Sequence, residues 1–310
     1  MRPLLDLNHN VHTLDLGFLD LPGTIAAYLI PHAKGAVLVE CGPGSTIANL
    51  IDAINAHGFK SGDITDVLIT HIHLDHAGSA GWWARQGARI HLHPVGAPHM
   101  EDPEKLLMSA SRIYGEKMES LWGEFLPVPA EKLIVHSDDE VIEIEDLQFT
   151  AIDTPGHAFH HLVYLFEDHC FSGDIGGVRV GRVPHLSLPM VPPEFHLELW
   201  RESLNKLVKL YHTGRFSAIV PTHFGIFSDS GWQLSKMEQL LTETETWIVQ
   251  EMAQSPSVER LNEKYLDWVE VRAQKDGLSE SDIQAFEAAN PSWMSASGIF
   301  RYWHKVRNLA

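Results

Sequence analysis

The sequence predicts an α/β domain over residues 1–230 and an all-helical extension over residues 231–310. Three observations carry this expectation. Short apolar runs alternate with segments of helical period through the first two-thirds of the chain. Several of those runs end in a Thr, Ser or Pro followed within a few residues by His or Asp, which suits the loops past strand ends where α/β folds place their chemistry. Beyond Gly231 the short apolar runs cease and only helical periodicity remains.

The elements follow in order. Residues 24–30 and 36–40 read as two strands around a turn at 31–35. Ile47, Leu50, Ile51 and Ile54 recur at helical spacing, with Gly58 as the expected stop. Residues 67–70 form a short buried strand that runs into His71, and 89–93 form another. Residues 103–125 read as one long amphipathic helical segment. Strands follow at 141–144, 147–152, 162–166 and 170–172. Residues 194–211 look helical, ending near Gly214, and 218–221 form a last strand leading to Thr222 and His223. In the extension, Met237, Leu240, Leu241, Ile248 and Met252 fit one helical face, and Val258, Leu261, Tyr265, Trp268 and Val269 fit another. Pro256 separates the two as a helix breaker. Two further helical pieces cover 280–289 and 298–306.

Composition bounds the function. With 44% hydrophobic and 21% charged residues, the 310-residue chain is an ordinary globular sequence, not a fibrous or disordered one. A formal charge of −18 opposes binding to a phosphate backbone, so a small-molecule substrate is expected and nucleic acid is not. No run of 18 or more apolar residues occurs, so no transmembrane helix or membrane partner is expected. The first 20 residues contain Asp6, Asp15 and Asp20 and lack a secretory pattern, so the expected location is cytoplasmic. Cys41 and Cys170 lie in apolar runs and read as free, buried thiols. Histidine is the outlier, with 20 residues, and neutral imidazole is the commonest metal ligand.

The strongest motif is the run Thr70, His71, Ile72, His73, Leu74, Asp75, His76 at the end of a predicted strand. In an extended segment His71, His73 and Asp75 share a face, and His76 diverges where the chain turns into a helix. Such a loop can serve two metal ions, with two imidazoles on one and a carboxylate and an imidazole on the other. Three later elements have matching character: Thr154, Pro155, Gly156, His157; Ser172, Gly173, Asp174; and Pro221, Thr222, His223, Phe224, Gly225. Each puts one His or Asp just past a predicted strand. No persuasive Ser-His-Asp triad and no phosphate-cradling glycine loop occurs.

This motif set, in this order, resembles the metallo-β-lactamase-fold hydrolase superfamily over roughly residues 20–230. The resemblance implies a four-layered αβ/βα sandwich with metals at one edge of its two sheets. It implies that His71, His73 and His157 bind a first metal, that Asp75, His76 and His223 bind a second, and that Asp174 bridges both. The implied cofactor is two divalent metal ions, zinc foremost, although nitrogen and oxygen ligands also accept iron, manganese or cobalt. Two such ions would give a metal-bound hydroxide at neutral pH and polarise the substrate oxygen. Asp75 would orient the water or shuttle a proton. The implied activity is hydrolysis of a small ester, thioester or lactone.

The glyoxalase II branch of this superfamily adds a similar helical region that helps hold glutathione. Its Gly-Cys-Gly-Arg element is absent here; Gly176, Gly177, Val178 and Arg179 follow Asp174 instead, which counts against glutathione thioesters. A competing function is a persulfide dioxygenase-like oxidoreductase with one iron on His71, His157 and Asp174, but the full seven-ligand set argues for two metals. Intact ligands also argue against a non-enzymatic scaffold. Glu40 stands where the family usually carries Asp, and reads either as support for a metal ligand or as a solvent-facing strand end. His160 and His161 are candidates to face the substrate or brace a ligand, the alternative for either being ordinary packing. Arg179 and Arg182 read either as solvated loop charges or as the basic candidates for a substrate carboxylate or phosphate. Trp293, Phe300, Tyr302 and Trp303 are expected to pack the extension onto the sandwich, the alternatives being a cap on the cleft or a dimer contact. A closed homodimer is the default oligomer.

Overall fold

The structure is a computed structural model that describes residues 11–181 and 183–307, so Arg182 lies outside the described residues. Among them, eleven strands form two sheets. The first sheet comprises β1 (His12–Asp15), β2 (Ala26–His32), β3 (Gly35–Val39), β4 (Ile64–Leu68), β5 (Arg89–Leu92) and β6 (Leu133–Val135), side by side in that order. Strands β1 to β3 pair antiparallel, and β3 to β6 run parallel. The second sheet comprises β7 (Glu140–Ile144), β8 (Leu147–Asp153), β9 (Leu162–Phe166), β10 (His169–Phe171) and β11 (Ala218–Val220), again in sequence order across the sheet. Only its β10–β11 pair is parallel.

Strand periodicity explains the layering. Along β2, Ala26, Tyr28 and Ile30 point between the sheets, while Ala27 and Leu29 face the helices behind. All five are buried, so the strand reads as an unbroken apolar run rather than an alternating one. Phe149, Tyr164 and Phe171 of the second sheet complete the central layer. Behind the first sheet lie Leu50 and Ile54 of helix Ile47–Ala56 and Trp83 of helix Ala80–Gln86. Behind the second lie Trp200, Leu204 and Leu207 of helix Leu197–His212, with Met237 and Leu240 of helix Ser230–Met252. The result is the expected four-layered αβ/βα sandwich.

After Met252 the chain forms helices Val258–Asp276, Glu280–Ala289 and Ser292–Lys305. Their residues Leu261, Tyr265, Ala296, Ile299 and Tyr302 join the same apolar cluster as Trp200, with Phe300 and Trp303 packed against it. The last helix crosses the 188–193 segment at very short range. A Cβ at Gly298 would stand 1.9 Å from the Met190 carbonyl oxygen, so only glycine permits this packing. No helix among the described residues is long and apolar enough to cross a membrane. Both cysteines are free and buried, and burial pushes the Cys41 thiol up to about 12.

Four elements depart from expectation. The 103–125 segment is two helices, Glu104–Tyr114 and Met118–Trp122, because the chain turns at Gly115. Strands β1 and β6 were not anticipated; they are four and three residues long and offer too few residues for a period to show. Strand β4 ends at Leu68, earlier than expected, and the chain turns helical at Leu74.

Candidate metal centre

The loops that follow β3, β4, β8, β10 and β11 meet at one edge of the sandwich. They carry Glu40; His71, His73, Asp75 and His76; His157; Asp174; and His223, respectively. Backbone and buried side-chain bonds hold this edge. Leu162 N–H donates to the Thr70 carbonyl at 2.7 Å, tying one sheet to the other. Ala26 N–H donates to the Thr222 carbonyl at 2.8 Å. The Tyr28 hydroxyl donates to the Pro221 carbonyl at 2.6 Å and accepts from Gly225 N–H at 3.0 Å, so the turn around His223 is pinned from inside the core. Gly173 adopts φ +48°, and a Cβ there would stand 2.6 Å from Thr70 Oγ1. Glycine at this position lets Asp174 approach the His71 loop.

Three imidazoles converge first. His157 Nε2 lies 3.2 Å from His71 Nε2 and 2.9 Å from His73 Nδ1, and those two lie 3.0 Å apart. A tetrahedral shell with zinc–nitrogen distances of about 2.0–2.1 Å puts its nitrogens roughly 3.3 Å apart, so the triangle is close to the size such an ion requires. A second group forms from Asp75, His76 and His223. Asp75 Oδ2 lies 3.4 Å from His223 Nε2 and 3.6 Å from His76 Nε2. Asp174 stands between the groups: Oδ2 is 3.4 Å from His157 Nε2, and Oδ1 is 3.4 Å from His76 Nε2 and 3.6 Å from His223 Nε2. Because the chain becomes helical at Leu74, Asp75 does not share the His71 and His73 face that continued extension would give it.

The outward nitrogens of the histidines define their tautomers. His157 Nδ1 faces the Pro189 carbonyl at 2.7 Å, and His223 Nδ1 faces the Thr24 carbonyl at 2.8 Å. His76 Nδ1 faces Glu40 Oε1 at 3.1 Å. These partners only accept, so each Nδ1 carries hydrogen and Nε2 is the nitrogen left to take a metal. The Thr70 hydroxyl donates to Glu40 Oε1 and therefore accepts from His71 Nδ1 at 3.1 Å, which fixes His71 the same way. Glu40 also accepts from the Thr222 hydroxyl at 3.0 Å. This buried carboxylate thus supports ligand-bearing loops and does not face solvent.

The electrostatics call for a cation. Burial, then His76 and the other imidazoles, holds His71 well below its ordinary value. Burial likewise pulls His157 down to about 3 against the attraction of Asp174. Burial opposes charge on His76, but Asp75, Asp174 and Glu40 outweigh it and push that imidazole up. Burial also works to raise Asp75 and Asp174, yet the facing His76 holds both carboxyls below the usual range. His76 Nε2, His223 Nε2 and Asp174 Oδ1 are buried without a hydrogen-bond partner. Such orphaned atoms are costly unless something else satisfies them. His71 and His157 are neutral and can offer lone pairs, the ionised carboxylates draw a proton onto His76, and three buried atoms are orphaned; a pair of divalent ions would displace that proton and satisfy the same groups.

The other expected residues separate. His160 lies against the cavity that opens on this edge, with Nε2 3.3 Å from Glu194 Oε2. His161 turns inward: Nδ1 lies 2.8 Å from Thr154 Oγ1 and Nε2 accepts from Asp174 N–H at 3.2 Å, so it braces the Asp174 loop. Arg179 does not line the cavity. Its guanidinium bonds Asp229 through two nitrogens at 2.7 and 2.8 Å and stacks over Phe227 and Trp232, so it is a buried structural cation. Sequence reading passed over Thr70 and Thr222, which both hold Glu40; a signal existed in the Thr-His pairs at the ends of two predicted strands.

The cavity has a volume of about 660 Å³. His73, Asp75, His160 and Asp174 line one end, and most of the remaining wall is apolar, including Tyr114, Trp122 and Met294. Residues 287–294 supply part of that wall, so the extension reaches the site.

Comparison with known proteins adds a frame. The family described as the metallo-beta-lactamase superfamily matches residues 20–212. The metallo-beta-lactamase fold-containing protein ST1585 of Sulfurisphaera tokodaii is 25% identical over 210 residues, 64% of this chain and 74% of that protein. Its solved structure superposes with a TM-score of 0.57, covering 76% of this chain and 86% of that one. The atrochrysone carboxyl ACP thioesterase of Aspergillus fumigatus is 29% identical over 162 residues, 51% of this chain. A hydroxyacylglutathione hydrolase of Rhodopseudomonas palustris is 28% identical over 148 residues, 46% of this chain. The last two matches span 41% and 46% of those proteins.

Proposed function

This chain belongs to the metallo-beta-lactamase superfamily, and on that premise we propose that it hydrolyses a small ester, thioester or lactone with two divalent ions, zinc foremost. One observation carries the proposal: a triad of His71, His73 and His157 and a triad of Asp75, His76 and His223 share the single carboxylate of Asp174. The superfamily consists largely of metal-dependent hydrolases, and two relatives are named as an atrochrysone carboxyl ACP thioesterase and a hydroxyacylglutathione hydrolase.

Bound ions would supply a water of lowered pKa and a Lewis acid for the scissile carbonyl. The chain's own residues do the rest. Glu40 and the Pro189 and Thr24 carbonyls hold the imidazoles in the one tautomer that presents lone pairs inward. Asp75 borders the cavity, where its carboxylate orients the attacking water and moves a proton toward the leaving atom. His160, held between Ile72 N–H and Glu194, bounds the same space and packs against the bound substrate.

A single iron on His71, His157 and Asp174, as sulfur oxidation would use, satisfies fewer of these groups. It would leave His223 Nε2 buried and unpartnered, at a cost of about 1–3 kcal/mol. Elemental analysis of the purified chain, together with assays on short esters, thioesters and lactones, tests the proposal. We expect two zinc ions per chain and hydrolysis that chelation abolishes. One iron per chain with oxygen consumption on a persulfide would replace this function with the oxidoreductase.

A further inference from the structure

The cavity beside the candidate metal centre carries more information than the centre does. It is about 660 Å³, within the range of sites that enclose a whole drug-sized ligand. One end is His73, Asp75 and Asp174, where the reacting bond must sit. The charged groups further along the wall are engaged or outward. Glu194 accepts from Phe159 N–H at 2.9 Å, and Glu287 accepts from Ser292 N–H at 3.1 Å. Lys105 and Lys117 are exposed. Between the reactive end and those lysines the surface is apolar, so water filling it would find few hydrogen-bond partners.

The two sides of this wall come from distant parts of the chain. Tyr114 ends helix Glu104–Tyr114, and Met294 belongs to the last helix. The Tyr114 hydroxyl donates to Met294 Sδ at 3.1 Å and so closes the wall across 180 residues of sequence. A thioether is a weak acceptor, and this contact leaves the lining essentially apolar.

We propose that the substrate carries an extended apolar arm, attached to either side of the scissile bond, which lies between helix Glu104–Tyr114 and the 289–294 segment. The C-terminal extension thereby selects the substrate, while the sandwich supplies the reactive end. This inference rests on the hydrolase function proposed above.

The test uses the metal-loaded full chain and linear primary alcohols from 1-butanol to 1-decanol, which probe the cavity without being hydrolysed. Binding is read by calorimetry and by the fluorescence of Trp122 and Trp293, both in the lining. Affinity should rise about fourfold per added methylene until the cavity is filled. Ala110→Trp, which fills the wall, should weaken 1-decanol binding at least tenfold relative to 1-butanol. Ser109→Trp, at a more exposed lining position, should act in the same direction if Ala110→Trp does not fold. Unsaturable binding, affinity independent of length, or folded variants that bind 1-decanol like the parent would overturn the proposal. Hydrolysis of short thioesters without alcohol binding removes the apolar arm and leaves the hydrolase. Length-dependent binding without hydrolysis of any ester or thioester removes the hydrolase and leaves the apolar pocket.

Discussion

Glu40 accepts a hydrogen bond from His76 Nδ1 at 3.1 Å, and both side chains are buried. Glu40 holds φ +66°, a left-handed conformation that non-glycine residues seldom adopt and that recurs at functional sites. Its carboxylate gathers protons from Thr70, Thr222 and His76, which belong to two different loops of the centre. Replacing it changes the charge and acceptor capacity behind two ligands without touching a ligand. Glu40→Gln should weaken metal affinity about 10–100-fold, measured by competition with a chelator. Unchanged affinity would make Glu40 a purely structural carboxylate.

Asp174 and His76 predict different losses. Asp174 reaches both groups with separate oxygens, whereas His76 belongs with Asp75 and His223. Asp174→Ala should therefore deplete both metal positions, and His76→Ala only one. Elemental analysis after dialysis against a weak chelator separates these outcomes. Equal loss in the two variants would mean that the groups fill as one cooperative unit.

Arg179 illustrates what sequence can and cannot disclose. Its place just after Asp174 suggested a substrate anchor, but its guanidinium bonds Asp229 and Gln233 and stacks on Phe227. Arg179→Met leaves Asp229 without its partner and should cost about 3 kcal/mol, read by urea unfolding. KM for a hydrolysed ester should stay where it was. A raised KM with intact stability would return Arg179 to the substrate site.

The contrast has a physical reason. The His and Asp residues that meet at this edge were legible because each sits within a few residues of a strand end, and strand ends leave a local apolar signature. The Thr-His pairs were visible but meaningless alone, since Glu40 joins them only through tertiary contact. Whether Arg179 is exposed depends on helix Ser230–Met252, some fifty residues later, which supplies Gln233. The cavity wall joins Tyr114 to Met294, and no local pattern encodes that meeting. Several strands were legible for a related reason: those covered on both faces, such as β2 over residues 26–30, read as apolar runs, whereas the layering was implied by the family resemblance.

The first sheet also contains a polar chain away from the metal centre, and it predicts a pH effect. Asp66 on β4 is buried and accepts from Arg89 Nε and His91 Nε2, both at 2.7 Å. His91 Nδ1 lies 2.8 Å from His136 Nε2, and His136 Nδ1 lies 2.8 Å from Glu140 Oε1. Burial alone would raise the Asp66 carboxyl, but the hydrogen bonds from His91 and Arg89 outweigh it and hold it at about 2, against an ordinary 3.8. A carboxyl depressed on folding stabilises the protein above its unfolded pKa and loses that contribution as pH falls through its folded one. Asp66 should therefore contribute about 2 kcal/mol at neutral pH, fading between about pH 4 and pH 2. The candidate metal ligands also titrate in acid, so stability of the parent alone cannot isolate this contribution. The difference between parent and Asp66→Asn can, because the centre is common to both. Urea unfolding at neutral pH should show the full gap, and the gap should close as pH drops below about 4. A gap that stays constant down to the acid limit would show that Asp66 acts through packing and hydrogen-bond geometry, not through its charge.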